Sequence, residues 1–154
     1  MVQWNRLYAR LAIAACGILT VLLTGCAVQP SFAPGPVDAD APTEFTQTDS
    51  GLKYRILRKS DGDKPTAADT VTVHYVGFLD DMSEFDSSYR RGKPTTFALS
   101  QVVAGWTEGL QHVSEGGMIE LEIPPELGYG PQGMPGSIPP NATLHFKVEL
   151  IEIN

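Results

Sequence analysis

Four carboxylates fall within seven consecutive positions, at Asp80, Asp81, Glu84 and Asp86. Such a cluster could bind a divalent cation, because carboxylate oxygens are ligands that Ca²⁺ prefers, or it could supply the two carboxyl groups of a glycosidase. The sequence around the first three is typical of a turn, so for them a solvated surface is the better interpretation. Asp86 stays a candidate functional carboxylate.

Other side chains that could carry chemistry are sparse. His74, His112 and His145 are far apart and lack the spacing of metal ligands. The sequence contains no G-x-S-x-G motif and neither of the two glycine-rich phosphate-binding patterns. We therefore expect no metal and no other cofactor, and we expect neither nucleotide chemistry nor nucleophilic catalysis.

Trp106 lies in a short amphipathic segment, residues 101–110. Apolar residues recur there at the spacing of one helix face: Val102, Val103, Trp106, Gly109 and Leu110. We predict a short helix with Trp106 pointing inward. Gly105 and Gly109 weaken a helix by about 1 kcal/mol each relative to alanine, so this helix needs a sheet to lie on. Whether Trp106 is only a core residue or also part of a site stays open at this point.

The sequence on both sides of this helix favours β-strands. Residues 70–79 alternate, with Val71, Val73 and Tyr75 on one face. Further strands are predicted at residues 52–57, 97–99, 118–123 and 142–153. A change of phase at Leu150 and Ile151 predicts a bulge in the last strand. The loop at residues 126–141 is long for a small domain, which favours a functional role.

Length and composition limit the possible classes of protein. The 154 residues suffice for one compact domain, and 42% hydrophobic with 19% charged residues excludes a disordered acidic chain. The net charge is −7, and no basic stripe with interleaved aromatic residues offsets it. An acidic surface repels phosphate backbones, so we expect no nucleic-acid partner.

Residues 1–25 have the pattern of an export signal. Arg6 and Arg10 precede an apolar core of about a dozen residues, which is too short to be a typical membrane span. The following Leu-Thr-Gly-Cys resembles the bacterial lipobox, in which the cysteine, here Cys26, receives a lipid on its sulfur and becomes the mature N-terminus. A chance cysteine after a signal peptide is the alternative. Ala27 follows Cys26, so in a Gram-negative organism we expect the outer membrane, facing the periplasm.

We predict that residues 26–45 are the lipidated cysteine and a flexible tether, and that the folded domain spans residues 46–154. Four prolines and no periodicity support this: Pro30, Pro34, Pro36 and Pro42. The nineteen residues after Cys26, if extended, would reach about 60 Å. Cys16 would be removed with the signal, leaving no free thiol and no disulfide.

Five separated motifs, in order, resemble the FK506-binding-protein (FKBP) family of peptidyl-prolyl cis/trans isomerases. They are Val73-His74-Tyr75-Val76-Gly77, Phe85-Asp86-Ser87-Ser88, Val102-Val103-Ala104-Gly105-Trp106, Tyr129-Gly130 and Ile138-Pro139-Pro140-Asn141-Ala142-Thr143-Leu144. The resemblance implies an α+β fold, in which a strongly curved antiparallel sheet, a half barrel, wraps around one short helix.

The resemblance also implies a substrate pocket and roles within it. Asp86, Tyr129 and Trp106 carry over as catalytic residues, with Trp106 as the floor under the proline ring. The other residues that carry over as substrate-binding are Tyr75, Phe85, Phe97, Val102, Val103, Ile138 and Phe146. Val103 would donate its backbone N–H and Tyr129 its hydroxyl. Asp86 would either orient the pocket through Tyr75 or meet the twisting carbonyl.

The implied partners are proline-containing polypeptides, the membrane through the lipid anchor, and rapamycin-type macrolides as inhibitors. Thr95, Met134 and Ser137 depart from residues common in the family at rim positions, which affects sequence preference. The expected function is isomerisation of X-Pro bonds in exported or envelope proteins. The alternative is a non-catalytic proline-binding or chaperone module of the cell envelope.

Overall fold

A computed structural model describes residues 33–154. The predicted signal sequence and Cys26 lie outside these residues. Within residues 33–154, no helix combines the length and the apolar character needed to cross a membrane.

The domain is one antiparallel sheet and one short helix, which confirms the predicted α+β class. The strands are β1 (Thr46–Gln47), β2 (Lys53–Arg58), β3 (Thr70–Phe78), β4 (Glu84–Ser87), β5 (Thr95–Ala98), β6 (Met118–Ile123) and β7 (Leu144–Ile153). Their order in the sheet is β1-β2-β6-β7-β3-β4, and β5 also pairs with β3. The sheet is open and curled, and the helix α1 (Ala104–Gly109) packs on its inner face.

Alternation along the strands separates the two faces of this sheet. In β3, Val71, Val73 and Tyr75 are buried, whereas the residues between them are only partly covered. The predicted bulge in β7 is confirmed, because Val73 pairs with Leu150 while the preceding Thr72 pairs with Glu152. Ile151 is the extra residue, and 43% of it is exposed.

The helix begins later than the sequence pattern predicts. Val102 and Val103 have extended backbone angles and precede the first helical residue, Ala104. Gly105 and Gly109 face β6 at close range: a Cβ would lie 2.5 Å from Ile123 Cγ2 at the first position and 2.7 Å from Leu121 Cδ2 at the second. The glycines that weaken the helix are therefore the residues that let it lie on the sheet.

Residues 35–45, predicted as part of the flexible tether, instead contact the folded domain. The Gly35 N–H donates to Glu149 Oε1 at 2.8 Å, and the Asp38 N–H donates to the Leu57 carbonyl at 2.8 Å. The folded unit thus extends N-terminally of the predicted boundary at Thr46. We call residues 35–45 the N-terminal strap.

Arg55 of β2 holds the second half of the strap. Its Nη1 donates to the Thr43 carbonyl at 2.7 Å, and its guanidinium lies 4.8 Å from the centre of the Phe45 ring. Contacts of this kind involve main-chain atoms and isolated side chains. They leave no periodic pattern in the sequence, and for this reason the sequence predicts a flexible tether where the structure has the strap.

Candidate active site

A cavity of about 450 Å³ opens between the helix and the inner face of the sheet. Its walls come from four strands, the helix and the turns beside it. The lining residues are Tyr75, Phe85, Asp86, Phe97, Gln101, Val102, Val103, Trp106, Tyr129 and Phe146. Nine of the ten pocket residues implied by the family resemblance are therefore brought together here.

Ile138 is the exception, because it does not line this cavity. It is only 4% exposed, and its backbone N–H and carbonyl both bond to Met134 at 2.8 Å. Gln101 lines the cavity although the resemblance did not include it. Its position directly before Val102 is the sequence signal that could have indicated it.

Trp106 is buried against three aromatic rings from three different strands. The ring centroids lie 5.2 Å from Tyr75 of β3, 5.5 Å from Phe97 of β5 and 5.2 Å from Phe146 of β7, all in edge-to-face geometry. Such arrangements place a ring edge against a ring face, which is the favoured electrostatic contact. The indole Nε1 is buried and has no hydrogen-bond partner within residues 33–154. The base of the cavity is therefore aromatic.

Gly77 makes room for two rings of the cavity wall. A Cβ at this position would lie 2.6 Å from Phe85 Cζ and 2.7 Å from Phe146 Cε1, which is too close for any side chain. The two rings meet edge to face, with centroids 5.4 Å apart. The glycine in the Val-His-Tyr-Val-Gly motif thus has a packing role in shaping the cavity.

Asp86 lies at the edge of the cavity with both carboxylate oxygens occupied. The Tyr75 hydroxyl donates to Oδ2 at 2.5 Å, and the Ser87 N–H donates to Oδ1 at 2.8 Å. Arg91 forms an ion pair with Oδ1, and its other terminal nitrogen donates to the Tyr75 hydroxyl at 2.7 Å. None of the sequence motifs indicates Arg91, which the structure brings to Asp86.

These contacts set the charges at the site. Burial acts to raise the pKa of Asp86, but hydrogen bonds from Tyr75 and Arg91 outweigh it and lower the pKa below its ordinary value. Burial and the hydrogen bond to Asp86 raise the pKa of Tyr75 to about 12. At neutral pH, Asp86 is therefore an ionised acceptor and Tyr75 a protonated donor.

Besides the Trp106 indole N–H, the Val103 N–H and the Tyr129 hydroxyl at the cavity have no hydrogen-bond partner within the described part of the chain. The Val103 N–H precedes the helix and donates to no described residue. The Tyr129 hydroxyl also makes no hydrogen bond there, and burial raises its pKa, so it stays protonated. These are the two donors that the resemblance implies, and both are available to a ligand.

The remaining carboxylates of the acidic cluster are distributed over separate contacts. Asp80 lies 2.8 Å from His145 Nε2, Asp81 accepts from Ser83, and Glu84 pairs with Arg90. Within residues 33–154, no group of three or more histidine, cysteine or acidic side chains is arranged to hold a metal ion.

The sequence and the fold of this chain are similar to those of known proteins of one family. Residues 62–151 match the family model described as FKBP-type peptidyl-prolyl cis-trans isomerase. A Haemophilus influenzae protein named "Probable FKBP-type peptidyl-prolyl cis-trans isomerase" is 54% identical over 107 residues, which cover 70% of this chain and 44% of that protein. A Legionella longbeachae protein named "Outer membrane protein MIP" is 49% identical over 104 residues, 68% of this chain and 45% of that one.

A solved structure agrees with these sequence matches. The crystal structure of FkpA from Escherichia coli superposes with a TM-score of 0.71 at 47% identity, covering 73% of this chain and 53% of FkpA. The chain spans less than half the length of the two curated relatives above. The match to the family model and the shared curled sheet with its short helix establish that the chain belongs to the FKBP-type peptidyl-prolyl cis-trans isomerase family.

Proposed function

We propose that this chain accelerates cis/trans rotation about X-Pro bonds in polypeptides. The observation that carries the proposal is the aromatic cavity with Trp106 at its base and two unpaired donors, Val103 N–H and the Tyr129 hydroxyl. A proline ring is apolar and fits an aromatic cavity, and the carbonyls on either side of it accept hydrogen bonds. Both parts of the substrate thus meet a matching surface.

The chemistry needs no nucleophile. Amide resonance sets the barrier to rotation near 20 kcal/mol, so only that resonance has to be weakened. A dry aromatic cavity disfavours the charge-separated planar amide and leaves the less polar twisted form comparatively stable. Donors that hold the flanking carbonyls let one side of the bond turn against the other. Each 1.36 kcal/mol gained in this way accelerates rotation tenfold.

Asp86 acts on the cavity through Tyr75 in this proposal. Its two oxygens already accept from Tyr75, Ser87 and Arg91. An ionised carboxylate would also repel the oxygen of a twisting carbonyl. Of the two roles left open by the sequence, orientation of Tyr75 is therefore favoured over direct contact with the substrate.

Exchange spectroscopy by NMR tests the activity directly. A short proline peptide at equilibrium is mixed with the full chain at a hundredth of its concentration, and cis-to-trans exchange cross-peaks are measured. We expect faster exchange, and we expect a rapamycin-type macrolide to abolish it by filling the same cavity. Macrolide binding without any acceleration would instead favour a proline-binding or chaperone module.

The location of the protein is a second part of the proposal. We infer that Cys26 carries a lipid that anchors the chain in the cell envelope, in the outer membrane if the organism is Gram-negative. The name of the Legionella longbeachae relative, an outer membrane protein, supports an envelope location. Because Gly35 is bonded to the domain, the eight residues between it and Cys26 span at most about 30 Å. The clients would be exported or envelope proteins.

Fractionation of a Cys26→Ser variant tests the anchor. We expect the variant to leave the membrane fraction and to keep an unprocessed N-terminus, because the serine cannot accept the lipid. A variant that stays as membrane-bound as the parent and is still cleaved at residue 26 would contradict the assignment.

A further inference from the structure

Tyr89 is a buried residue at the start of an exposed loop. The loop joins β4 to β5 over residues 88–94, and from Arg90 to Pro94 every residue is exposed. Tyr89 itself is only 3% exposed. Tyr89 is the last buried residue of the chain before β5. Its burial is not explained by the cavity, because Tyr89 is not among the lining residues.

Both parts of the Tyr89 side chain are held on the outer face of the sheet. Its ring stacks on the His74 ring, with centroids 4.7 Å apart and planes 14° from parallel. Its hydroxyl donates to Oε1 of Glu149, which is the cross-strand partner of His74. Glu149 is in turn paired with Arg58 at 2.8 Å. Burial and the hydrogen bond to Glu149 raise the pKa of Tyr89, so the hydroxyl remains a donor.

The neighbouring backbone fixes the course of the loop around this anchor. Ser88 makes three hydrogen bonds with the Tyr75 backbone. Its Oγ accepts from the Tyr75 N–H at 2.8 Å. The Tyr75 carbonyl accepts from the Ser88 N–H at 3.0 Å and from the Ser88 Oγ at 3.2 Å. The Gly92 N–H donates to the Tyr89 carbonyl at 2.9 Å and closes a turn. Arg91 lies within that turn, so the position of Tyr89 determines where the Arg91 side chain starts.

Arg91 is the residue that joins this loop to the cavity. Its side chain is long and 39% exposed, and its guanidinium lies 5.4 Å from the centre of the Tyr75 ring. It reaches Asp86 and the Tyr75 hydroxyl together. Such a paired contact from an exposed arginine requires that the backbone of the loop be held in place.

We propose that Tyr89 is a positioning residue of the isomerase site, which holds the loop on the outer face so that the Arg91 guanidinium meets Asp86 and Tyr75. The inference rests on the proposed isomerase function and adds to it a group outside the cavity. Tyr89 touches no substrate. Tyr89 acts through Arg91, and Glu149 supports Tyr89 by accepting a hydrogen bond from its hydroxyl.

Variants in the full chain separate this role from a contribution to stability alone. Tyr89→Phe removes only the hydroxyl, and Tyr89→Leu removes the ring stack as well. We expect kcat/KM to fall about two- to tenfold for the first, as for the loss of one hydrogen bond, and further for the second. In an Arg91→Ala background, neither change should lower kcat/KM again, because the group through which Tyr89 acts is already absent.

Tyr54→Leu is the matched control. Tyr54 also stacks on a histidine, His112, with centroids 4.2 Å apart, but it lies on β2 away from the loop. We expect this variant to lose stability while kcat/KM stays unchanged.

NMR titration of the Asp86 carboxyl gives a second readout that needs no activity. If Tyr89 places Arg91, the pKa of Asp86 rises in Tyr89→Leu and in Arg91→Ala but not in Tyr54→Leu. A parent chain without isomerase activity would remove the proposed function, yet this titration would still test the positioning of Arg91. The inference is overturned if the Tyr89 variants change only the melting temperature, or if their losses in kcat/KM persist in the Arg91→Ala background.

Discussion

Trp106 belongs to two parts of the molecule at once. Its ring packs in the core beside buried residues of the sheet, and it also forms the base of the cavity. The sequence alone left open whether it was a core residue or a site residue. In the structure it packs in the core and also lines the cavity, because the cavity opens directly onto the core. A substitution should therefore affect stability and activity together.

We predict that Trp106→Ala lowers the free energy of unfolding by about 3 to 5 kcal/mol and abolishes most of the activity. Trp106→Leu should retain more of both, because it leaves a smaller void. Urea unfolding monitored by circular dichroism, with kcat/KM measured on the folded fraction, checks this. Equal losses for the two variants would argue against a packing role for the ring.

Arg91 and Asp86 lead to a prediction about pH. The pKa of Asp86 is lowered in the folded protein, so its stabilising contribution is present above the unfolded-state pKa and is lost as pH falls through the folded-state pKa. Arg91→Gln removes one of the donors that lower it. We predict that the acid limb of the pH profile of kcat/KM moves to higher pH in Arg91→Gln.

Lys93→Gln is the control for this prediction, because it removes the same charge from the same loop at an exposed position. Its acid limb should coincide with that of the parent. A shift of equal size in both variants would mean that general electrostatics, and not the contact with Asp86, sets the pKa.

Among the secondary-structure elements, the sequence predicted best the strands in which buried and exposed residues alternate. Alternation placed the ends of β3 and β6 to within a residue or two and located the bulge at Ile151, because burial on one face imposes a period of two. The start of the helix was missed, since the extended backbone at Val102 and Val103 continues the apolar spacing of the helix face.

Contacts that depend on the course of a loop or of the N-terminal strap have no periodic signal, so the sequence did not predict them. Ile138 shares a motif with the site, but it is buried in the core cluster that includes Tyr75 and Trp106 and does not line the cavity. Arg91 reaches Asp86 through a turn that has no periodic signal. The N-terminal strap is held partly through its own main-chain atoms, such as the Gly35 N–H and the Thr43 carbonyl, and these bonds leave no pattern in its side chains.

The strap should therefore contribute to stability. We predict that a chain starting at Thr46 unfolds with about 1 to 3 kcal/mol less free energy than one starting at Ala33, because bonds from Gly35, Asp38 and Thr43 are lost. Its kcat/KM at low temperature should change little. Arg58 still pairs with Glu149 in this chain, so Glu149 can still accept the hydrogen bond from Tyr89. Identical urea midpoints for the two chains would show that the strap is a tether after all.

In the whole molecule, the inner face of the sheet lines the cavity and the outer face binds the N-terminal strap. Phe146 faces the cavity, whereas Glu149, three residues along the same strand, receives the strap on the outer face. The N-terminal segment therefore attaches away from the cavity. With the proposed lipid anchor at Cys26, this arrangement would leave the cavity open to polypeptides.

In the proposed function, the cavity catalyses rotation about X-Pro bonds and does not merely bind proline. The most direct test is the refolding of a protein whose slow phase is limited by an X-Pro bond, followed at increasing substoichiometric concentrations of the full chain. We predict that the rate of the slow phase rises in proportion to the amount of chain added, and that a macrolide cancels the increase. Complex formation with the refolding protein at an unchanged rate would contradict it.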